Sequence, residues 1–166
     1  AIKLKYGTTG DILEAQRLRY RIFGGEMGAR LPSRTPGVDH DIYDPYCEHL
    51  VVRDAQNMAL GVTGYIHREA DCAEVGFLFA PEAQGQGYGS ESLRAVCDYA
   101  FREGGIRRLT ATVTAGNVAS RRTLEKIGFR LEGELRESYS LAGEWHNDWL
   151  FGLLSHEYDK SSPSGR

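Results

Sequence analysis

Gln84-Gly85-Gln86-Gly87-Tyr88-Gly89-Ser90 is the stretch of this chain that most restricts its fold. Before it, Val75 to Ala80 forms an apolar run closed by Pro81, which reads as a buried strand. After it, Leu93, Val96, Cys97, Ala100 and Phe101 share one helical face. A glycine-rich turn that opens a helix presents unpaired backbone N–H groups at the positive end of the helix dipole, a setting for a phosphate or pyrophosphate. A Cβ in that turn would hold the anion away from the backbone. A P-loop needs lysine and then Ser or Thr after its last glycine, whereas Gly89 is followed by Ser90 and Glu91. The dinucleotide fingerprint puts its third glycine where this chain has Ser90 or Ser92. The spacing that fits is Gln-x-x-Gly-x-Gly at Gln84, Gly87 and Gly89. Taken alone, such a turn also has a purely structural reading.

Strand and helix patterns alternate along the chain, so the class is α/β. Ile2 to Tyr6 reads as a first strand, and Asp11 to Phe23 as a helix with Ile12, Ala15, Leu18 and Ile22 inward. Gly24 to Tyr46 is irregular and holds Pro32, Pro36 and Pro45. His49–Arg53 and Leu60–Ile66 read as a hairpin turning near Ala55, Gln56 and Asn57, and a strand near Glu74–Phe79 leads to the glycine turn. With 166 residues and no visible linker or repeat, one domain over residues 1–160 is expected, with residues 161–166 as a tail.

A net charge of −3 argues against nucleic acid as a bulk electrostatic partner. Cys47, Cys72 and Cys97 are odd in number and widely spaced, so free thiols in a reducing cytoplasm are expected, without zinc. His40, Asp41 and Asp44 lack tight ligand spacing and read as a turn-rich loop, so no metal is expected. Neither a membrane span nor a signal peptide is expected from the sequence, and the chain is read as a monomer or homodimer.

The Gln84–Gly89 spacing resembles the acyl-CoA pyrophosphate loop of the GNAT superfamily of N-acetyltransferases. Further segments extend the likeness in order: Arg108 to Val113, Asn117 to Ser120, Leu124 to Phe129, Leu131 to Arg136, Gly143 to Asp148 and Trp149 to Leu154. Together, from about Gly61 to Tyr158, they resemble the Rim-type enzymes that acetylate N-terminal amines of ribosomal proteins. The resemblance implies a GNAT fold, a mixed central sheet of about seven strands flanked by helices. Gln16 to Phe23, Glu26 to Ala29, Asp39 to Asp44 and Cys47 to Arg53 instead resemble the ornithine-lipid acyltransferase and hemolysin-like branch. That change implies a chimera of two branches joined near Ala59 to Tyr65, with a whole donor site and a mixed acceptor site.

The family chemistry is attack of an amine on the thioester of acetyl-CoA, which needs a proton acceptor for the amine, an N–H donor for the oxyanion and a proton for the thiolate. By resemblance, the backbone of Phe77, Leu78 and Phe79 pairs with the pantetheine arm, and Asn117 holds it from the other side. The cofactor loop runs through Gln84, Gly85, Gln86, Gly87, Tyr88, Gly89 and Ser90. The position of the family's tyrosine acid is Leu124 here, and Ser120 is the Rim-type substitute; a small helix-start residue is its structural reading. Glu74 is a candidate base acting through water, or a solvated strand end. The glutamate base of some Rim-type enzymes falls on Tyr139, a weak base as a neutral phenol. Glu137, two residues earlier, is expected on the same side of the strand. Cys97 reads as core rather than nucleophile. Three functions stay open: an acetyl-CoA-dependent N-acetyltransferase of a primary amine such as a protein N-terminus, a longer-chain acyltransferase using acyl carrier protein or acyl-CoA, and a CoA-binding protein with little turnover.

Overall fold

The computed structural model describes residues 9–22, 47–54 and 56–161. The expected first strand, the irregular stretch with His40, Asp41 and Asp44, and residues 162–166 lie outside the described residues. Helix α1 spans Thr9–Tyr20, and π-type spacing continues it to Ile22. Ala15, Leu18 and Ile22 fall on one stripe and bury against Val51 and Ala80, with Leu78 packed beside them.

Strands β1 (Cys47–Arg53), β2 (Ala59–Glu69) and β3 (Cys72–Phe79) form an antiparallel meander. Asp54 shapes the first turn: its carboxylate accepts the N–H of Gln56 at 2.9 Å and of Met58 at 2.8 Å. The strands reach beyond the predicted bounds because backbone pairing continues after the apolar pattern stops. Helix α2 (Tyr88–Arg102) then crosses to β4 (Arg108–Thr114), which lies parallel to β3. Helix α3 (Val118–Ile127) is capped by Asn117, whose side chain accepts the Ser120 N–H at 3.1 Å, and is stopped by Gly128 at φ 117°. Strands β5 (Arg130–Leu141) and β6 (Glu144–Leu154) form a hairpin, and α4 covers Ser155–Ser161, one residue into the expected tail.

Among the described residues the sheet is mixed and six-stranded, in the order β1-β2-β3-β4-β6-β5. The larger core lies on one face, where Leu93, Val96, Cys97 and Ala100 of α2 and Leu124 and Ile127 of α3 meet Val75, Leu109, Ala111 and Phe151. Burial pushes the Cys97 thiol far up, so it stays protonated and acts as a core residue. Tyr158 of α4 is also enclosed, and its hydroxyl donates to Asp98 at 2.7 Å. Helix α1 covers part of the other face.

Two side-chain bridges cross β6 to join β4 directly to β5. Arg108 donates to both oxygens of Glu132 at 2.9 and 2.5 Å, and the carboxylate lies where a Cβ of Gly152 would be. The guanidinium holds the Glu132 carboxyl below its usual range. Further along, Thr114 Oγ1 and Tyr139 Oη are 2.6 Å apart, and the Tyr139 ring stacks on His146 of β6 at 5.3 Å between centroids.

Leu124 is fully enclosed whereas Leu131 is 42% exposed. Leu124→Ala is therefore expected to lower unfolding free energy by about 2–5 kcal/mol, and Leu131→Ala by at most ~0.5 kcal/mol, measured by denaturant titration. A Cβ at Gly61 would overlap the Phe79 ring and approach the Leu78 carbonyl oxygen at 2.7 Å. Gly61→Ala is expected to cost about 1–3 kcal/mol in the same measurement as Phe79 is forced aside.

Candidate active site

Strands β3 and β4 pair only at their starts, Cys72 with Arg108, Ala73 with Leu109 and Glu74 with Thr110. Beyond Glu74 they diverge, although β3 stays paired with β2 to Phe79 and β4 with β6 to Thr114. From Val75 onward the edge of β3 that faces away from β2 has no β4 partner, which leaves backbone N–H and C=O groups for a ligand. A cavity of about 700 Å³ occupies the gap, lined by Val75 to Phe79 on one side and Ala111 to Thr114 on the other. Ile22 reaches it from α1.

The glycine turn forms one end of this cavity. Gly85 and Gly87 hold left-handed φ values of 75° and 84°, and among the described residues no atom beyond their chain neighbours lies within 4 Å of where their Cβ atoms would be. Gly87 is the N-cap of α2, and no side chain among the described residues caps the helix. Backbone N–H groups, positive helix end and empty space therefore coincide, a cradle whose chemistry fits a pyrophosphate. Gln84 braces the turn by donating to the Phe79 carbonyl at 3.2 Å. Arg21 pairs with Glu82 at 3.1 Å, which ties the end of α1 to the residues just before the turn.

Phe77, Leu78, Phe79, Gln84, Gly85, Gly87, Gly89, Ser90, Asn117 and Ser120 all line the cavity. Asn117 spends its side-chain oxygen on capping α3, and Ser120 follows in the first turn of that helix. Two members of the glycine turn point elsewhere. Gln86 donates to the Glu82 carbonyl at 2.8 Å, and Tyr88 packs against the cluster of Val52, Phe79 and Ala83.

The three candidate bases stand apart from the lining. Glu74 is held by Arg68 through contacts of 2.6 and 3.0 Å at the closed end of the gap, where β3 and β4 are still paired. Glu137 does not share a side with Tyr139 by simple alternation, because a bulge interrupts β5 between Leu135 and Tyr139 and Glu137 takes a φ of 48°. Its N–H donates to Asn147 at 2.8 Å, and the residue is exposed. Tyr139 reaches the cavity only through Thr114. The tyrosine-acid position, Leu124, is sealed in the core and offers no proton.

Thr112 and Thr114 line the cavity and were not singled out by the sequence reading. Their signal was present: Thr110, Thr112 and Thr114 alternate with Leu109, Ala111 and Val113, a strand with one polar face. The apolar set enters the main core, so the threonines face the side of the sheet that α1 occupies.

The family profile described as an acetyltransferase (GNAT) domain matches residues 34–130, more than half of the chain. An uncharacterized N-acetyltransferase of Bacillus subtilis, YnaD, is 29% identical over 110 residues, covering 66% of this chain and 65% of its own. The chain thus spans less than two thirds of the length of that relative. A spermidine N(1)-acetyltransferase of Vibrio cholerae is 29% identical over 122 residues, 70% of this chain and 69% of that protein. A crystal structure of spermidine N-acetyltransferase from Vibrio cholerae in complex with CoA and spermine superimposes with a TM-score of 0.78 at 22% identity, over 95% of this chain and 97% of that one. One profile spans the Ala59–Tyr65 junction, and the Vibrio cholerae structure shares the fold over nearly the whole chain. By its splayed parallel strands, its glycine cradle and the family profile, this chain belongs to the GNAT acetyltransferase domain family.

Proposed function

We propose that the chain is an acetyl-CoA-dependent N-acetyltransferase of a primary amine, with the N-terminal amine of a protein as acceptor. The observation that carries this reading is the opening of the β3–β4 gap directly onto the glycine cradle. N–H groups from Gly85 to Ser90 hold the pyrophosphate, the free edge of β3 from Phe77 to Phe79 pairs with the pantetheine arm, and Asn117 closes the opposite wall. Bound there, acetyl-CoA supplies an activated acetyl thioester. In the reaction the amine nitrogen forms a bond to the acyl carbon, the carbon–sulfur bond breaks, the amine loses a proton and the sulfur gains one. Ser120 lines the cleft at the start of α3 and serves as the proton donor toward sulfur, the role that enclosed Leu124 cannot fill.

The amine approaches from the face of the sheet that carries Thr112 and Thr114, opposite α2 and α3. The N-terminal acceptor follows from the likeness of residues 61–158 to the Rim-type enzymes. A polyamine acceptor is the second reading, favoured by similarity to the Vibrio cholerae spermidine N(1)-acetyltransferase. Cys72 and Cys97 as free thiols fit a reducing cytoplasmic setting.

Thiol release from acetyl-CoA, measured against N-terminal peptides and polyamines, tests the reading, with calorimetry of CoA binding alongside. Turnover is expected, fastest with peptide N-termini; turnover with polyamines alone selects the second reading. CoA binding without turnover for any amine overturns both and favours a longer acyl donor or a binding protein. Gly87→Ala imposes a left-handed alanine and fills the cradle, so CoA affinity is expected to fall about tenfold or more. Ser120→Ala is expected to lower kcat about 100-fold while CoA affinity stays within about twofold.

A further inference from the structure

We infer that Tyr139 is a positioning residue that fixes the Thr114 hydroxyl as the polar contact for the acceptor amine. The inference rests on the proposed transfer to an amine.

Three strands are involved, because β6 lies between β4 and β5. Adjacent strands are about 4.8 Å apart, so the backbones of β4 and β5 are separated by roughly 10 Å. Tyr139 spans much of that distance by lying across its cross-strand partner His146, with the rings 24° from parallel, and ends 2.6 Å from Thr114 Oγ1. Thr114 lines the cleft on the acceptor face, at the end of β4.

The register puts Tyr139 on the face of Thr114: Tyr139 pairs with His146, which lies two residues from Asp148, the partner of Thr114. The bulge between Leu135 and Tyr139 sets four steps along β5 against two along β6, which holds Tyr139 beside His146 while keeping it on that face. This bulge is held from both sides. Asn147 accepts the Glu137 N–H at 2.8 Å and donates to Glu134 at 2.7 Å, while the Ser138 hydroxyl bonds Asp148. Asp148 is the cross-strand partner of Thr114, so the bulge is anchored next to the hydroxyl that it serves. Glu137 keeps its positive φ within this arrangement, a local cost that persists only where the surroundings enforce it.

A threonine hydroxyl free to rotate would divide its time among rotamers and partners. Bonded to Tyr139, the pair offers the cleft an oriented oxygen lone pair, with an O–H beside it. The incoming amine donates an N–H to Thr114 Oγ1, which turns the nitrogen lone pair toward the acyl carbon. Tyr139 never needs to ionise, so the weakness of a phenol as a base is no obstacle. Its contribution is alignment.

The test uses Tyr139→Phe, which keeps the stacked ring, together with Thr114→Val, Thr114→Ser and the double variant Tyr139→Phe/Thr114→Val. Steady-state thiol release is measured with the amine that the wild type turns over fastest, and melting temperature is recorded in parallel. Tyr139→Phe and Thr114→Val are expected each to raise the acceptor KM about tenfold and leave the KM for acetyl-CoA unchanged. Thr114→Ser retains near-wild-type acceptor KM. Because the two hydroxyls act as a unit, the double variant is expected to be no worse than the poorer single one. The inference is overturned if Tyr139→Phe leaves the acceptor KM unchanged, if the two losses multiply, or if the loss only follows a lowered melting temperature. Absence of wild-type turnover with every amine overturns the transferase reading and this role together, whereas wild-type turnover with unaffected variants overturns the role alone.

Discussion

The hydrogen bonding of β3 to β4 ends almost as soon as it begins, and the rest of the molecule is arranged around that ending. Each strand has a stronger attachment on its outer side. β3 is paired with β2 as far as Phe79, and β4 with β6 as far as Thr114. Strands joined in this way twist relative to their neighbours by roughly 20–25°. Two three-stranded ribbons that share only a short parallel seam therefore separate at one end. The core beneath them tolerates the separation because α2 and α3 bring Leu93, Val96, Leu124 and Ile127 up against Val75, Ala111 and Phe151. The gap is a packed feature of the fold rather than a defect in it.

Chain order does the remaining placement. The glycine turn and α2 follow the free end of β3, and Asn117 and α3 follow the free end of β4. The starts of both helices consequently stand at the mouth of the gap. One is left uncapped by any side chain and the other is capped by Asn117. That difference is the physical ground for the proposed placement of the anion at the glycine turn and of the neutral arm on the α3 side.

Signals that are local in sequence were legible before the structure. The glycine turn, the stripe of α2 and the class of fold all depend on residues within a few positions of one another. Pairings across strands were not. Glu74 looked available as a base because nothing in its neighbourhood announces that Arg68 folds back on it across the β2–β3 turn. Glu137 was placed beside Tyr139 by alternation, which a bulge cancels without leaving a glycine or proline as a sign. The threonine face of β4 was readable as a pattern, but its meaning required knowing that β3 moves away from it.

The Arg108–Glu132 bridge over Gly152 ties three positions on three strands into one unit of variation. A larger residue at position 152 would meet the carboxylate, and a shorter acid at 132 would leave the guanidinium without its fork of acceptors. Drift at any one of these sites is therefore conditional on the other two. The closed end of the sheet is expected to change by linked replacements, while the exposed outer positions of β5, such as Leu131 and Leu135, are free to change one at a time.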